Sequence, residues 1–383
     1  MDDMTTVIWL KKYLMGIRNA QFHEIRYKKT CSLINRWNNN ISGHHFTKGI
    51  ADYENELLVI YEYLERLACQ KANRTLTVKE LDIAHILNLE ELGFEWTGQQ
   101  FKKIPGSNPR YVKGISLKTK EEVWIPSIFA YYLDNHWDEW NNFAGNSNGN
   151  ALGRSLDDAI ERGINEFMER DKFIRFWYLN DGYLLRIPKQ RISGMEEKFR
   201  YFTQKKYQLD FFKIENKPKY IHSVWCLIRS TDEKNSLFSF SGFGADVTLM
   251  GAIQKAFGEV STIFFHYNYR ANSSKDIEKI ISTVSDDIRY FFSYESKEPL
   301  KKILRNIKVY SGKDENKRFK ESSIDLALDY YKDIVYIPIE SDILDELKLY
   351  EVKVVGLGGY SMYFHINDEV KGRGKIAGYC PFD

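Results

Sequence analysis

Hydrophobic and polar positions alternate with a helical period between Ser155 and Tyr178. At about 100° per residue, the charged side chains of this stretch share one side of a helix and the apolar ones share the other. The charged side holds Asp158, Arg162, Glu166, Glu169 and Arg170, and the apolar side holds Ile160, Ile164, Phe167 and Met168. Ser155 is a suitable N-cap, because its hydroxyl can accept a hydrogen bond from the first turn. The pattern predicts an amphipathic helix with an apolar back and a carboxylate front.

The rest of the chain alternates between helical and two-residue periods, and no low-complexity linker divides it. Further helices are predicted at 53–72, 195–206, 249–265 and 273–293. Strands are predicted at 111–117, 123–130, 182–188, 223–230, 237–240, 334–339 and 352–357, with loops at 141–153 and 241–244. Because the strands follow one another as hairpins or meanders, we predict an α+β fold with mostly antiparallel sheets. We expect one large domain over 41–383, preceded by a segment, 1–40, to which the sequence assigns no role.

The acidic pattern of the central helix occurs twice more in the chain. Glu62–Arg66 repeats the ExxER pattern of Glu166–Arg170, and a degenerate third copy keeps only Glu259. A glycine-bearing turn is predicted before each copy, at 47–49, 147–149 and 241–244. A single ExxER is most often a solvated, salt-bridged helix face. Three related units instead favour helices that converge on one polar site.

Composition limits the class of protein without naming a partner. Hydrophobic residues make up 43% of the 383-residue chain and aromatic residues 15%, which is ample for a folded core. The formal charge of +2 gives no argument for nucleic acid. The four cysteines, Cys31, Cys69, Cys226 and Cys380, form no CxxC pair, so we expect a reducing, cytoplasmic setting. No signal peptide and no run of about 18 apolar residues is present, so no membrane segment is expected.

Several carboxylates in one site require cations, because burying unneutralised negative charge is costly. Oxygen ligands alone select a hard cation, most simply Mg²⁺, which commonly shares its shell with phosphate. Four basic residues stand beside the acids in sequence and suit a polyphosphate: Lys48, Arg66, Arg170 and Lys255. Since GxxxxGK[ST] is absent, the residues indicate a Mg²⁺–nucleotide site without a Walker loop.

Together these stretches resemble the YcaO family of ATP-dependent enzymes that modify peptide backbones. Residues 147–159, SNGNALGRSLDDA, continuing to Glu166–Arg170, are similar to that family's SNGxAxGxSxxEA…ExxER core. Thr47–Gly49 is similar to its GKG loop, and Lys255 and Glu259 stand where the family has a basic residue four before a glutamate. The matches follow the family's order across 42–262.

The resemblance implies three related carboxylate-bearing helices around a Mg-ATP site in a single YcaO-type domain. It also implies that ATP phosphorylates an amide oxygen of a ribosomally made precursor peptide. In the family's cyclodehydratases, a Cys, Ser or Thr side chain first attacks the preceding carbonyl. The oxyanion takes the γ-phosphoryl group, and loss of phosphate leaves a thiazoline or oxazoline. Cyclodehydration, in the biosynthesis of a bacteriocin or related natural product, is therefore the activity we expect.

The resemblance assigns a role to individual residues. The implied Mg²⁺ ligands are Glu62, Glu65, Asp158, Glu166 and Glu169. The implied nucleotide contacts are Lys48, Asn55, Asn148, Arg170 and Lys255. The implied catalytic residues are Glu166, Glu169, Arg170 and Glu259, with Glu259 closing the site.

The sequence departs from the family's pattern in three places. The first loop reads SGHHFTKG, Lys255 stands where arginine is usual, and the tail at 378–383 keeps only Pro381 of a proline-rich ending. Thioamide and amidine formation therefore stay open as alternatives, and so does a non-catalytic docking subunit of a peptide-modifying complex. A carboxylate-bridged metal hydrolase is less favoured, because such sites usually recruit histidine and the ExxER motifs contain none.

The resemblance also sets the expected partners. The substrate is a precursor peptide. Because no additional N-terminal domain precedes the core, we expect a separate leader-binding partner that resembles ubiquitin-activating proteins. A flavin-dependent dehydrogenase is a further expected partner, a homodimer is left open, and neither nucleic acid nor a membrane is expected.

Overall fold

A computed structural model of the chain describes residues 3–18, 21–27, 31–37, 53–69, 75–77, 86–87, 89–93, 97, 102–131, 140–141, 146–232, 234–235, 237–273, 285–312, 322–362 and 368–381. Within these ranges the helices are α1 (Asp3–Arg18), α2 (Tyr53–Ala68), α3 (Leu156–Trp177), α4 (Glu196–Gln204), α5 (Leu249–Ser273), α6 (Asp286–Phe292), α7 (Lys297–Ile303), α8 (Ser323–Tyr330), α9 (Asp342–Leu347) and α10 (Asp368–Arg373). None of these helices has the length and the apolar character needed to cross a membrane.

Within the same described ranges, the strands form two large sheets and two small ones. They are β1 (Gln21–Tyr27), β2 (Cys31–Trp37), β3 (Leu76–Thr77), β4 (Lys102–Lys103), β5 (Arg110–Ser116), β6 (Glu122–Pro126), β7 (Trp140–Asn141), β8 (Asn150–Gly153), β9 (Tyr183–Arg186), β10 (Tyr207–Glu215), β11 (His222–Ser230), β12 (Ser239–Asp246), β13 (Lys308–Val309), β14 (Asp333–Pro338) and β15 (Tyr350–Leu357). One large sheet has the order β12-β11-β10-β9-β13, and the other has the order β3-β5-β14-β15-β8 with β6 paired to β5. Apart from the parallel pair β13–β9, the described pairings are antiparallel. The α+β prediction with mostly antiparallel sheets is confirmed.

Helix α3 lies at the centre of the fold. It packs on β8 and β15 of one large sheet and contacts β12 of the other. The apolar back predicted from the sequence is buried against β14 and β15, where Ile164 and Phe167 share a core with Val352 and Val354. Each such side chain stabilises the fold by about 1.5–3 kcal/mol when it leaves water. The opposite, charged side of α3 is thereby held at the edge strand β8.

The predicted loop at 241–244 is wrong, because these residues lie inside β12 and pair with β11. Helix α5 packs directly on this strand. A Cβ on Gly242 would lie 2.4 Å from the backbone N of Val260, and one on Gly244 would lie 2.4 Å from that of Ala256. The glycines therefore permit close approach of helix to strand rather than a turn.

Other boundaries differ where pairing or packing overrides the local pattern. The end of the predicted loop at 141–153 forms β8, because residues 150–153 pair with β15. Strand β10, which was not predicted, is the central strand of its sheet. Helix α5 extends to Ser273, past its predicted end at 265. The predicted helix at 273–293 overlaps the end of α5 and α6, and residues 274–284 lie outside the described part of the chain.

Candidate active site

Helices α2, α3 and α5 and strand β8 border one cleft with a volume of about 460 Å³. Helix α2 contributes Glu62 and Glu65 to its walls, α3 contributes Glu166 and Glu169, and α5 contributes Lys255. The predicted convergence of three related helices on one polar site is confirmed. Four of the five predicted Mg²⁺ ligands line the cleft, and their role as ligands stays a prediction.

The carboxylate wall from α3 is organised by a capped helix and one arginine. Ser155 is the N-cap, and its side chain accepts a hydrogen bond from the backbone N–H of Asp158 at 3.2 Å. Further along, the Arg170 guanidinium lies 3.3 Å from a carboxylate oxygen of Glu169 and 3.8 Å from one of Glu166. The Arg170 side chain is only 14% exposed, so this cation stands inside the protein wall. It offsets part of the charge of both glutamates.

The carboxylates of the cleft still carry more negative charge than their neighbours neutralise. Burial raises the pKa of Glu166 to about 7, with Glu169 adding to the rise and Arg170 opposing it. Burial also raises the pKa of Glu65 well above its usual range, and the charges of Glu166, Glu351 and Glu62 act in the same direction. On α2, the Arg66 guanidinium lies 2.9 Å from a carboxylate oxygen of Glu62. Such crowding favours a cation in the cleft.

The donor set fits Mg²⁺ bound together with phosphate. Among the described residues, no three acidic, histidine or cysteine side chains already form a metal cage. Mg²⁺ does not need one, because it is commonly held by one or two carboxylates, water and substrate phosphates. Carboxylates that repel one another beside an open cleft, which Lys255 also lines, meet that requirement.

Helix α5 supplies a further acid beside the cleft, Glu259. The Glu259 carboxylate accepts a hydrogen bond from the backbone N–H of Phe243, and burial raises its pKa to about 7. Arg170 opposes this rise and Glu169 adds to it, so Glu259 belongs to the same charged group as α3. Glu259 and Phe243 also line a small cavity together with Pro381. The C-terminal tail thus reaches the back of the site.

Lys255 is held toward the cleft by the end of β12. Its ammonium donates to the backbone carbonyl of Ala245 at 3.0 Å and lies 2.9 Å from a carboxylate oxygen of Asp246. The side chain is 49% exposed. An exposed but anchored ammonium at the mouth of an acidic cleft suits a phosphate group.

The remaining predicted site residues lie elsewhere or are not described. Asp158 does not line the cleft, and its carboxylate lies 2.8 Å from the Arg162 guanidinium at the start of α3. The Asn148 side chain donates to the carbonyl of Met362 at 2.7 Å. Asn55 lies on α2, but its side chain is outside the description, and Lys48 falls outside the described residues altogether. The roles implied for these four residues stay predictions.

A polar layer beneath the cleft was not found from the sequence. Cys69, at the end of α2, donates to the Glu351 carboxylate at 2.7 Å and accepts from the Asn150 side chain at 2.7 Å. Glu351 and Lys353 are 3% and 4% exposed. Burial lowers the pKa of Lys353 to about 8, although the neighbouring acids oppose this. The sequence signal for this layer was the pair of opposite charges, Glu351 and Lys353, two residues apart in the otherwise apolar strand β15.

Residues 47–355 match the family model described as YcaO cyclodehydratase, ATP- and Mg²⁺-binding. The chain belongs to the YcaO family. The family model describes cyclodehydratases that bind ATP and Mg²⁺. The resemblance inferred from the motifs is confirmed. Among curated proteins, none matches the sequence.

Solved structures of YcaO proteins share the fold. A heterocyclase in complex with substrate and cofactor has a TM-score of 0.73 at 15% identity, over 96% of this chain and 55% of that one. This chain thus spans about half the length of that heterocyclase. YcaO from Methanopyrus kandleri, bound with AMPPCP and Mg²⁺, has a TM-score of 0.68 at 14% identity, over 92% and 90% of the two chains. The E. coli microcin synthetase McbBCD complex has 0.66 at 16% identity, over 88% and 87%. At these identities the likeness shows the fold.

Proposed function

We propose that this chain uses ATP to phosphorylate a backbone amide oxygen of a ribosomally made peptide and so forms thiazoline or oxazoline rings. A Cys, Ser or Thr side chain of the peptide adds to the preceding carbonyl carbon and loses its proton. The resulting oxyanion takes the γ-phosphoryl group, and ADP departs. The amide nitrogen then expels phosphate with the former carbonyl oxygen, which closes a C=N bond in the ring and releases the nitrogen's proton. The net change is the loss of one water from the peptide and the hydrolysis of one ATP.

The proposal is supported most directly by one cleft that is lined by four glutamates and an anchored lysine. Glu62, Glu65, Glu166 and Glu169 would hold Mg²⁺, and a bound Mg²⁺ supplies neutralisation of the phosphate charge that develops during transfer. Arg170, held by Glu166 and Glu169, would direct one cation at the phosphates. Lys255, which lines the cleft, would supply another. These roles of the glutamates, Arg170 and Lys255 are to position the phosphates and to neutralise their charge. Positioning and charge neutralisation account for most of the catalysis in phosphoryl transfer.

Relatives of the same fold support the choice of a peptide substrate and of protein partners. One is a heterocyclase in complex with substrate and cofactor, and another is the McbBCD complex with pro-MccB17 bound. We propose a precursor peptide as substrate here as well. A separate leader-binding subunit and a flavin-dependent dehydrogenase are the partners we propose, within the cytoplasm.

The proposal is tested by the mass of the product. The chain would be expressed with a short Cys-, Ser- or Thr-rich precursor peptide and a leader-binding protein. We expect the peptide to lose one water per ring and one ADP to form per ring. Glu166→Gln should abolish both changes while the protein stays folded. Glu161→Gln, on the same helix but away from the cleft, should retain them. A Glu166→Gln enzyme as active as the parent would refute the proposal.

A second product, a thioamide, is open to the same site. The same activated amide could instead be attacked by external sulfide, which would give a thioamide. The mass distinguishes the two outcomes, because thioamide formation replaces an oxygen atom by sulfur and removes no water. An unmodified peptide together with no ATP consumption would instead favour a docking subunit.

A further inference from the structure

A buried lysine joins the asparagine-rich turn before β8 to the polar layer beneath the cleft. The Lys353 ammonium on β15 donates to the backbone carbonyl of Asn146 at 2.6 Å and to its side-chain oxygen at 3.3 Å. Lys353 is 4% exposed and Asn146 is 6% exposed. The contact is therefore formed away from solvent, where a hydrogen bond to a charged group is strong.

Asn146 also forms a hydrogen bond with the turn that follows it. Its side-chain oxygen also accepts from the backbone N–H of Asn148 at 3.0 Å, and its side-chain NH₂ donates to the carbonyl of Met362 at 2.7 Å. The turn continues directly into β8, where Asn150 pairs with Lys353 and lines the cleft. Lys353 thus fixes both the turn and the first residue of the cleft wall.

The hydrogen bonds to Asn146 do not by themselves require a charged donor at position 353. A neutral donor would satisfy the Asn146 oxygens, whereas a buried ammonium costs free energy unless it is compensated by negative charge. The neighbouring acidic groups that oppose the effect of burial on Lys353 are Cys69, Glu166, Glu65 and Glu351. Two of these acids line the cleft. Lys353 is therefore coupled to the carboxylate helices on one side and to the turn on the other.

We propose that Lys353 is a positioning residue of the nucleotide site, which holds the Asn146–Gly149 turn and the start of β8 in register with the glutamates of α2 and α3. The inference rests on the proposed function of the cleft. Lys353 does not line the cleft and acts through Asn146 and the adjacent wall. Without it, the wall loses its fixed position relative to the glutamates, and nucleotide binds more weakly.

The test compares two buried lysines by titrating AMPPCP with Mg²⁺ into the full chain. Lys353→Met keeps the apolar stem and removes the ammonium. Lys172→Met is the matched control, because Lys172 is 1% exposed and donates to the backbone carbonyls of Asn216 and Pro218, apart from the cleft. We expect Lys353→Met to raise the Kd for AMPPCP by about tenfold or more, and Lys172→Met to leave it unchanged.

A double variant separates positioning from general destabilisation. Asn146→Ala removes the other end of the side-chain contact, so Lys353→Met combined with Asn146→Ala should weaken binding by less than the product of the two single effects. If Lys353→Met does not fold, Asn146→Ala alone should raise the Kd. An unchanged Kd in whichever variant folds would overturn the inference while leaving the proposed function intact. A parent protein that does not bind AMPPCP with Mg²⁺ would overturn both.

Discussion

The Glu169 carboxylate accepts a hydrogen bond from the backbone N–H of Ala245 at 2.8 Å. The backbone carbonyl of Ala245 accepts a hydrogen bond from the Lys255 ammonium at 3.0 Å. The last residues of β12 are thus held by α3 on one side and by α5 on the other. This link explains why the degenerate third copy of the acidic motif, which lacks the second glutamate and the arginine, still lies at the cleft.

The Glu169 contact predicts a difference between two substitutions. Glu169→Gln keeps an oxygen that can accept from Ala245, whereas Glu169→Ala leaves that N–H without its partner. We expect Glu169→Ala to lower the free energy of unfolding by about 1–3 kcal/mol more than Glu169→Gln does. Urea unfolding of both variants measures this difference. Equal losses would mean that the contact does not link α3 to β12.

The crowding of carboxylates in the cleft predicts that removing one of them stabilises the fold but weakens the binding of Mg²⁺. Glu65→Gln and Glu166→Gln each replace a buried carboxyl group whose ionisation is opposed by burial and by neighbouring acids. We therefore expect a higher melting temperature than the parent in Mg²⁺-free buffer, and a smaller rise when Mg²⁺ is added. Glu161→Gln, which lies outside the cleft on α3, should change neither value. A lower melting temperature for both cleft variants would contradict the proposed repulsion.

The buried Lys172 predicts a specific dependence of stability on pH. Burial lowers the pKa of this lysine from 10.5 to about 7, although Glu215 and Asp171 oppose the shift. Between these two values the unfolded chain binds a proton that the folded chain does not. The group therefore makes the free energy of unfolding rise with pH across this window, by up to about 1.4 kcal/mol per pH unit. Urea unfolding from pH 7 to pH 10 should give a smaller rise for Lys172→Met than for the parent. Identical slopes would exclude this role.

The turn before β8 predicts a steric requirement for glycine at position 149. Gly149 has φ +77°, and a Cβ there would lie 2.3 Å from the carbonyl oxygen of Val354. Gly194 has a similar φ of +75° with nothing within 4 Å of its Cβ position, so Gly194→Ala bears the backbone strain without the clash. Gly149→Ala should destabilise the fold by about 1–3 kcal/mol more than Gly194→Ala. Equal melting temperatures would show that the turn can move away from β15 without cost.

The parts of the site that were predictable from the sequence rest on local signals. The N-cap Ser155, the apolar back of α3 and the ExxER spacing all lie within a few turns of one helix, so the sequence contains them directly. Their convergence followed from repetition of the motif. The prediction of a loop at 241–244 was wrong because the glycines there allow close contact with α5. This helix begins only after β12 and packs back onto it.

The polar layer beneath the cleft could not be predicted either, because it too depends on contacts between separate elements. Glu351 and Lys353 are spaced to share one face of β15, and an apolar strand with two charges gives no partner by itself. The partners, Cys69 and Asn146, come from α2 and from the turn before β8, far away in sequence. Their meeting depends on the pairing of β8 with β15. Only tertiary structure supplies that pairing.

We propose that the glutamates of α2 and α3 together hold a Mg²⁺–nucleotide. Calorimetric titration of AMPPCP with Mg²⁺ into the parent protein, Glu166→Gln and the control Glu161→Gln tests it without a peptide substrate. We predict saturable binding by the parent and by Glu161→Gln, and a Kd raised by about tenfold or more in Glu166→Gln at unchanged far-UV circular dichroism. Equal affinity of Glu166→Gln and the parent would contradict the claim.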